Sequence, residues 1–194
     1  DGAVSDACGS AATEAWIQEN FSDVPRMTAA YTGRQLTNDS RVWVDAATFR
    51  GGCDRGLLGI RGADTTSAIT NARFLDLCPS GDYDERISST IQINNLSGDD
   101  ASELFIANSY LSPGMGDAAG ISSGNTMDGL YAESVTFENF HGDAAIETKA
   151  VDLQLSRVTI SGPARRPIRV MRAGVKYLVD VNIEKTASDG WDPL

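Results

Sequence analysis

Carboxylates, amines and guanidinium groups make up most of the side chains here that can do chemistry. Asp128, Asp143 and Glu147 fall close together, with Lys149, Arg169 and Arg172 downstream. Carboxylates that converge hold a hard cation such as Ca2+ through oxygen, and a basic group beside them can move a proton. Asp82, Asp84 and Glu85, with the Asp99-Asp100 pair, read as a solvated loop or at most a loose Ca2+ site. His141 stands alone, so no His-rich metal site can be built, and no nucleophile elbow accompanies it. Cys8, Cys53 and Cys78 form no CxxC pair and no Cys/His cluster, which argues against structural zinc and thioredoxin-like chemistry. Gly114-Met115-Gly116-Asp117-Ala118-Ala119 formally fits a dinucleotide-binding loop. The Gly120-Ile121-Ser122-Ser123-Gly124 run stands where that loop requires a helix.

Periodicity supplies the elements that must position these groups. Ser10 is a suitable N-cap for a helix over residues 11–21. Thr13, Ile17 and Phe21 recur at four-residue steps with Trp16 beside them, which gives one apolar face. From residue 40 the helical period gives way to short β-rich runs punctuated by Asn, Ser, Asp and Gly. Six runs resemble one another: Asp45-Ala46-Ala47-Thr48-Phe49, Thr70-Asn71-Ala72-Arg73-Phe74, Ala107-Asn108-Ser109-Tyr110-Leu111, Glu133-Ser134-Val135-Thr136-Phe137, Ser156-Arg157-Val158-Thr159-Ile160 and Val179-Asp180-Val181-Asn182-Ile183. Their last residues are separated by steps of 25, 37, 26, 23 and 23, the long step fitting an inserted loop.

A second strand follows each of the first five runs, at residues 58–61, 91–94, 120–123, 145–148 and 168–171. Alternation sets Ile91, Ile93, Ile146, Thr148, Ile168 and Val170 on one face and Gln92, Glu147 and Arg169 on the other. Short strands repeating every two dozen residues describe a β-solenoid, an all-β stack of coils paired in parallel about 4.8 Å apart. Its outward positions form a ladder of Gly59, Gln92, Ser122, Glu147 and Arg169, with Arg61, Asn94, Lys149 and Arg172 beside it. Gln92, Asn94, Ser122 and Glu147 are the candidate binding residues of a groove for sugar hydroxyls or carboxylates. The plainer reading is a solvated face with one Glu147–Arg169 ion pair, worth roughly a few tenths of a kcal/mol.

Asp128-Gly129-Leu130, Val135-Thr136-Phe137-Glu138-Asn139-Phe140 and Gly142-Asp143-Ala144-Ala145-Ile146 carry an apolar-x-Asn/Asp-apolar-x-apolar rhythm. Over roughly residues 40–185 the chain resembles right-handed parallel β-helix proteins of the pectate-lyase-like superfamily. The resemblance implies one right-handed β-helix of about six coils over 40–194. It also implies that the amphipathic helix within 1–39 caps the open N-terminal end. A lyase of this kind abstracts a proton next to a uronate carboxylate. The resemblance would then have Asp128, Asp143 and Glu147 hold Ca2+, with Lys149, Arg169 or Arg172 as the base.

The repeat also bears on the cysteines. Cys53 lies four residues after Phe49 and Cys78 four residues after Phe74, so stacking sets them one coil apart, within disulfide range. A Cys53–Cys78 bridge is expected. Pairing of Cys8 with either, or three reduced thiols, are the alternatives.

Charge narrows the function classes. The chain has 27 acidic and 16 basic residues, a net charge of −11 and a pI near 4.4. Phosphate neutralisation needs clustered Lys and Arg, so nucleic acid is excluded, as is docking on an anionic membrane. No apolar stretch is long enough to insert in a bilayer. Asp outnumbers Glu 19 to 8 and Arg outnumbers Lys 13 to 3, which suits high salt or reflects GC-rich codons. The small polar residues from Asp1 read as the start of a mature secreted or cell-surface chain. Two classes follow. One is a non-catalytic module of a cell-surface or virion appendage (filament subunit, adhesin or spike), working by self-association, contact with other surface proteins or glycan binding. The other is a Ca2+-dependent uronate lyase or related carbohydrate-active enzyme. Carboxylates spread along a coil, not gathered on its ladder, favour the first.

Overall fold

The structure, a computed structural model, describes residues 14–33, 35–37, 41–51, 56–61, 65–75, 89–94, 102–112, 119–123, 127–140, 144–163 and 166–186. Within them the chain winds through three sheets. Coil one is β1 (Arg26–Met27), β2 (Ala30–Thr32) and β3 (Gln35–Thr37); coil two is β4 (Arg41–Asp45), β5 (Thr48–Arg50) and β6 (Leu58–Arg61). Coil three is β7 (Thr66–Thr70), β8 (Arg73–Leu75) and β9 (Ser89–Asn94); coil four is β10 (Glu103–Ala107), β11 (Tyr110–Ser112) and β12 (Ala119–Ser123). Coil five is β13 (Met127–Glu133), β14 (Thr136–Phe137) and β15 (Ile146–Thr148); coil six is β16 (Ala150–Ser156), β17 (Thr159–Gly162) and β18 (Ile168–Val170). Two strands of a seventh coil follow, β19 (Lys176–Val179) and β20 (Asn182–Lys185). Every strand pairs in parallel with its equivalent in the neighbouring coil, so the first and second sheets have seven strands and the third has six. This is the expected parallel β-solenoid. It begins earlier than residue 40, because β1 pairs with β4, β2 with β5 and β3 with β6.

The six recurring runs stack in one register. Phe49 pairs with Phe74, Phe74 with Leu111, Leu111 with Phe137, Phe137 with Ile160 and Ile160 with Ile183. Their second residues, Ala46, Asn71, Asn108, Ser134, Arg157 and Asp180, all have φ between 49° and 55°. A left-handed residue bends the chain sharply between the first and second sheets, and Asn and Asp tolerate it best. The corner keeps its coil-to-coil bonding: Asn71 N–H donates to Ala107 O at 3.2 Å and Asn108 N–H to Glu133 O at 3.0 Å. Ala46, Ser134 and Arg157 donate in the same way to Thr70 O, Ser156 O and Val179 O, so these left-handed residues keep their N–H groups paired.

Inside the coils the ladders are apolar and closed. Val44, Ile69, Ile106, Ala132 and Leu155 stack from the first sheet, and the rings of Phe49 and Phe74 stack 4.8 Å apart from the second. Ile91, Ile121 and Ile146 close the third side.

Helix α1 (Glu14–Asn20) differs in place from the expected end cap. Its buried face lies on the outer face of the first sheet, against Trp43, Ala68, Phe105 and Tyr131, which are successive rungs of one outward ladder. Phe21 meets Trp43 with ring centroids 6.4 Å apart and Trp16 meets Phe105 at 4.5 Å, so the helix runs along the stack, across the strands. The aromatic rungs of the flank give it an apolar bed. Glu14 fixes its start by accepting from Asn71 Nδ2 at 2.9 Å and Asn108 Nδ2 at 2.8 Å. Arg41 fixes its end, donating to Asp23 at 2.8 Å and to Asn20 O at 2.5 Å. Ser10 and residues 11–13 lie outside the described residues.

The corner geometry yields a stability prediction. Ala46 is exposed with φ 52°. Glycine would remove a left-handed penalty of about 1–2 kcal/mol and add about 0.4–1 kcal/mol of unfolded-state entropy. Ala46→Gly should therefore raise stability by roughly 0.5–1 kcal/mol in urea unfolding, whereas Ala47→Gly, at a buried ordinary position, should lower it.

Candidate functional site

The third sheet builds the expected outward ladder rung by rung. Gly59 pairs with Gln92, Gln92 with Ser122, Ser122 with Glu147 and Glu147 with Arg169. Arg169 Nη1 donates to Glu147 Oε2 at 3.0 Å, with side chains 36% and 23% exposed. Two rungs of opposite charge on adjacent coils are close enough to pair and wet enough to be worth little. Asn94 stands beside Arg61 in the neighbouring ladder. Lys149 lies just after β15, and its backbone N–H donates to Ser123 Oγ at 2.8 Å. Arg172 is out of step with it: Thr148 pairs with Val170, so the next rung sets Lys149 beside Met171, one residue short of Arg172. Gln92, Ser122, Glu147 and Arg169 thus share one face, with Lys149 at its margin.

Asp128 is elsewhere. It is exposed near the start of β13 in the first sheet, whereas Glu147 belongs to the third. Asp143, the third candidate Ca2+ ligand, lies outside the described residues, as do Cys8, Cys53, Cys78 and His141. Among the described residues, no three His, Cys, Asp or Glu side chains gather as a metal site would require.

A second polar cluster escapes the sequence reading. It lies on the outer face of the first sheet beyond α1, where Glu103, Gly129 and Asp152 are successive rungs. Gly129 leaves room for the Tyr131 ring, which would overlap any Cβ placed there. The Tyr131 hydroxyl donates to the Glu103 carboxylate, and burial, reinforced by the nearby Asp128 carboxylate, raises the Glu103 pKa above the ordinary Glu range. Burial, together with the charge of Glu103, also pushes the Tyr131 hydroxyl well above its usual range. Further along the sheet, Lys176 Nζ donates to Val151 O at 2.5 Å and Ala150 O at 3.2 Å, and burial lowers its pKa despite Asp152 nearby. A Gly followed two residues later by Tyr is the only local signal, and it is too common to point to a cluster by itself.

Among the described residues no helix is long and apolar enough to cross a membrane. Compared with known protein families, curated proteins and solved structures, the chain matches none.

Two outcomes follow from these groups. The folded chain holds the Glu103 proton more tightly than the unfolded chain does. Glu103 therefore contributes stability at acid pH that is lost as pH rises through its folded pKa. The stability of the native chain relative to Glu103→Gln should fall in thermal melts as pH rises above the ordinary Glu range, about 4.3. For the ladder, a double-mutant cycle of Glu147→Gln with Arg169→Ala should give a coupling below about 1 kcal/mol.

Proposed function

We propose that the chain is a non-catalytic module of a secreted or cell-surface assembly, a filament subunit, adhesin or virion spike, acting by self-association or glycan binding. One observation carries this reading: core-facing side chains stand in the open at the last coil. Leu178 and Ile183 continue the inward ladders of Leu155 and Ile160, each of which is 1% exposed. Yet Leu178 is 51% and Ile183 46% exposed, and Val170, at the edge of the third sheet, is 39% exposed. A cluster of exposed apolar side chains beside strand edges that no described strand pairs marks an association surface. We infer right-handed winding, the hand that parallel crossover connections take in nearly all sheets.

The competing reading is a Ca2+-dependent uronate lyase using Asp128, Asp143 and Glu147 with Lys149, Arg169 or Arg172. It gains little support from an Asp128 and a Glu147 that stand on different sheets. Sedimentation velocity across a concentration series decides the matter. The weight-average sedimentation coefficient should rise with concentration, and a monomer throughout would sink self-association as its mode of action. Ultraviolet absorbance released from a uronate polymer with Ca2+, and lost in Lys149→Ala or Arg169→Ala, would install the lyase in its place.

A further inference from the structure

We propose that the exposed C-terminal end of the solenoid receives the N-terminal end of a second copy of this chain. The inference rests on the self-association reading and names its surfaces.

Between coils one and seven the same contact repeats six times in the first and second sheets and five times in the third: inward side chains stack and strands pair in parallel, rung on rung. Among the described residues, the C-terminal end is one half of that contact with no strand above it. Its complement is the opposite side of a coil, and the first coil presents that side. Met27 and Tyr31 are the inward rungs there, pairing with Val44 and Phe49, and both are only half-buried. Setting β1 of one copy on β19 of another, and β2 on β20, places Met27 over Leu178 and Tyr31 over Ile183. Both ladders then continue, with strand direction and register unchanged. Lys176, at a core-facing register beside Leu153, does not stand in the way, because its ammonium turns back to the carbonyls of Ala150 and Val151 in its own chain. The two joined surfaces are different, so the contact is heterologous and each added copy presents a fresh end. Linear growth follows, not a closed dimer.

The test blocks each end separately. Ile183→Glu charges the C-terminal end and Tyr31→Glu the N-terminal end; Met27→Glu is a second N-terminal block should the loss of Tyr31 prevent folding. Circular dichroism identifies the variants that fold. In sedimentation velocity, each blocked variant alone should remain monomeric. Mixed, they should form a dimer and nothing larger, since only one pair of unblocked ends remains. Assembly of Ile183→Glu alone at the native level would overturn the proposal and leave self-association standing, through another surface. A dimer that survives the N-terminal block and is lost with Ile183→Glu would overturn it in favour of two C-terminal ends meeting. Association that appears only after removal of residues 187–194 would overturn it by giving this end to the chain's own last residues. A native chain that is monomeric at every concentration would end both this inference and the self-association reading beneath it.

Discussion

In-register stacking of one coil on the next is the constraint on which the rest of the structure depends. A single coil cannot bury its apolar side or satisfy its backbone; each needs a neighbour on both sides. Parallel pairing supplies the backbone bonds, and ladders such as Phe49–Phe74–Leu111–Phe137 supply the apolar contact. Stability therefore accumulates rung by rung, and it is incomplete wherever the stack stops. The exposed Leu178 and Ile183 are the direct expression of that rule.

The flank obeys a different rule. Outward rungs face water unless something covers them, and on the first sheet α1 covers Trp43, Ala68 and Phe105. The corner residues serve twice. Asn71 and Asn108 take the left-handed conformation that turns the chain, and their amides then hold the Glu14 carboxylate at the head of the helix. A seven-residue helix is marginal alone, so its order depends on these contacts and on the aromatic bed beneath it.

The sequence showed the second and third sheets clearly and the first hardly at all. The runs ending at Phe49 through Ile183 were legible because they span the corner, where an Asn, Asp or small residue (Arg157 in one run) precedes a strict alternation. The outward ladder from Gln92 to Arg169 was legible for the same reason. First-sheet strands such as Val42-Trp43-Val44 and Leu104-Phe105-Ile106 are buried on both faces, inside by the core and outside by α1. Alternation disappears under those conditions, and with it the period that marks a strand. That gap hid the Glu103–Tyr131 cluster, which lies on the missing sheet. The helix was visible as an amphipathic segment, yet amphipathicity says that one face is buried and not what buries it. Coil one, built of two- and three-residue strands, was too short to show a period.

The corner between the first and second sheets always has two residues, whereas the segment joining the second sheet to the third ranges from two to thirteen. The rigid corner therefore resets the phase of the winding once per turn. Length added elsewhere, as between Leu75 and Ser89, is absorbed before the next corner and never propagates to later coils. The fold thus separates a fixed frame from a variable margin. New surface can be grafted at the second-to-third junction without disturbing a single rung of the interior.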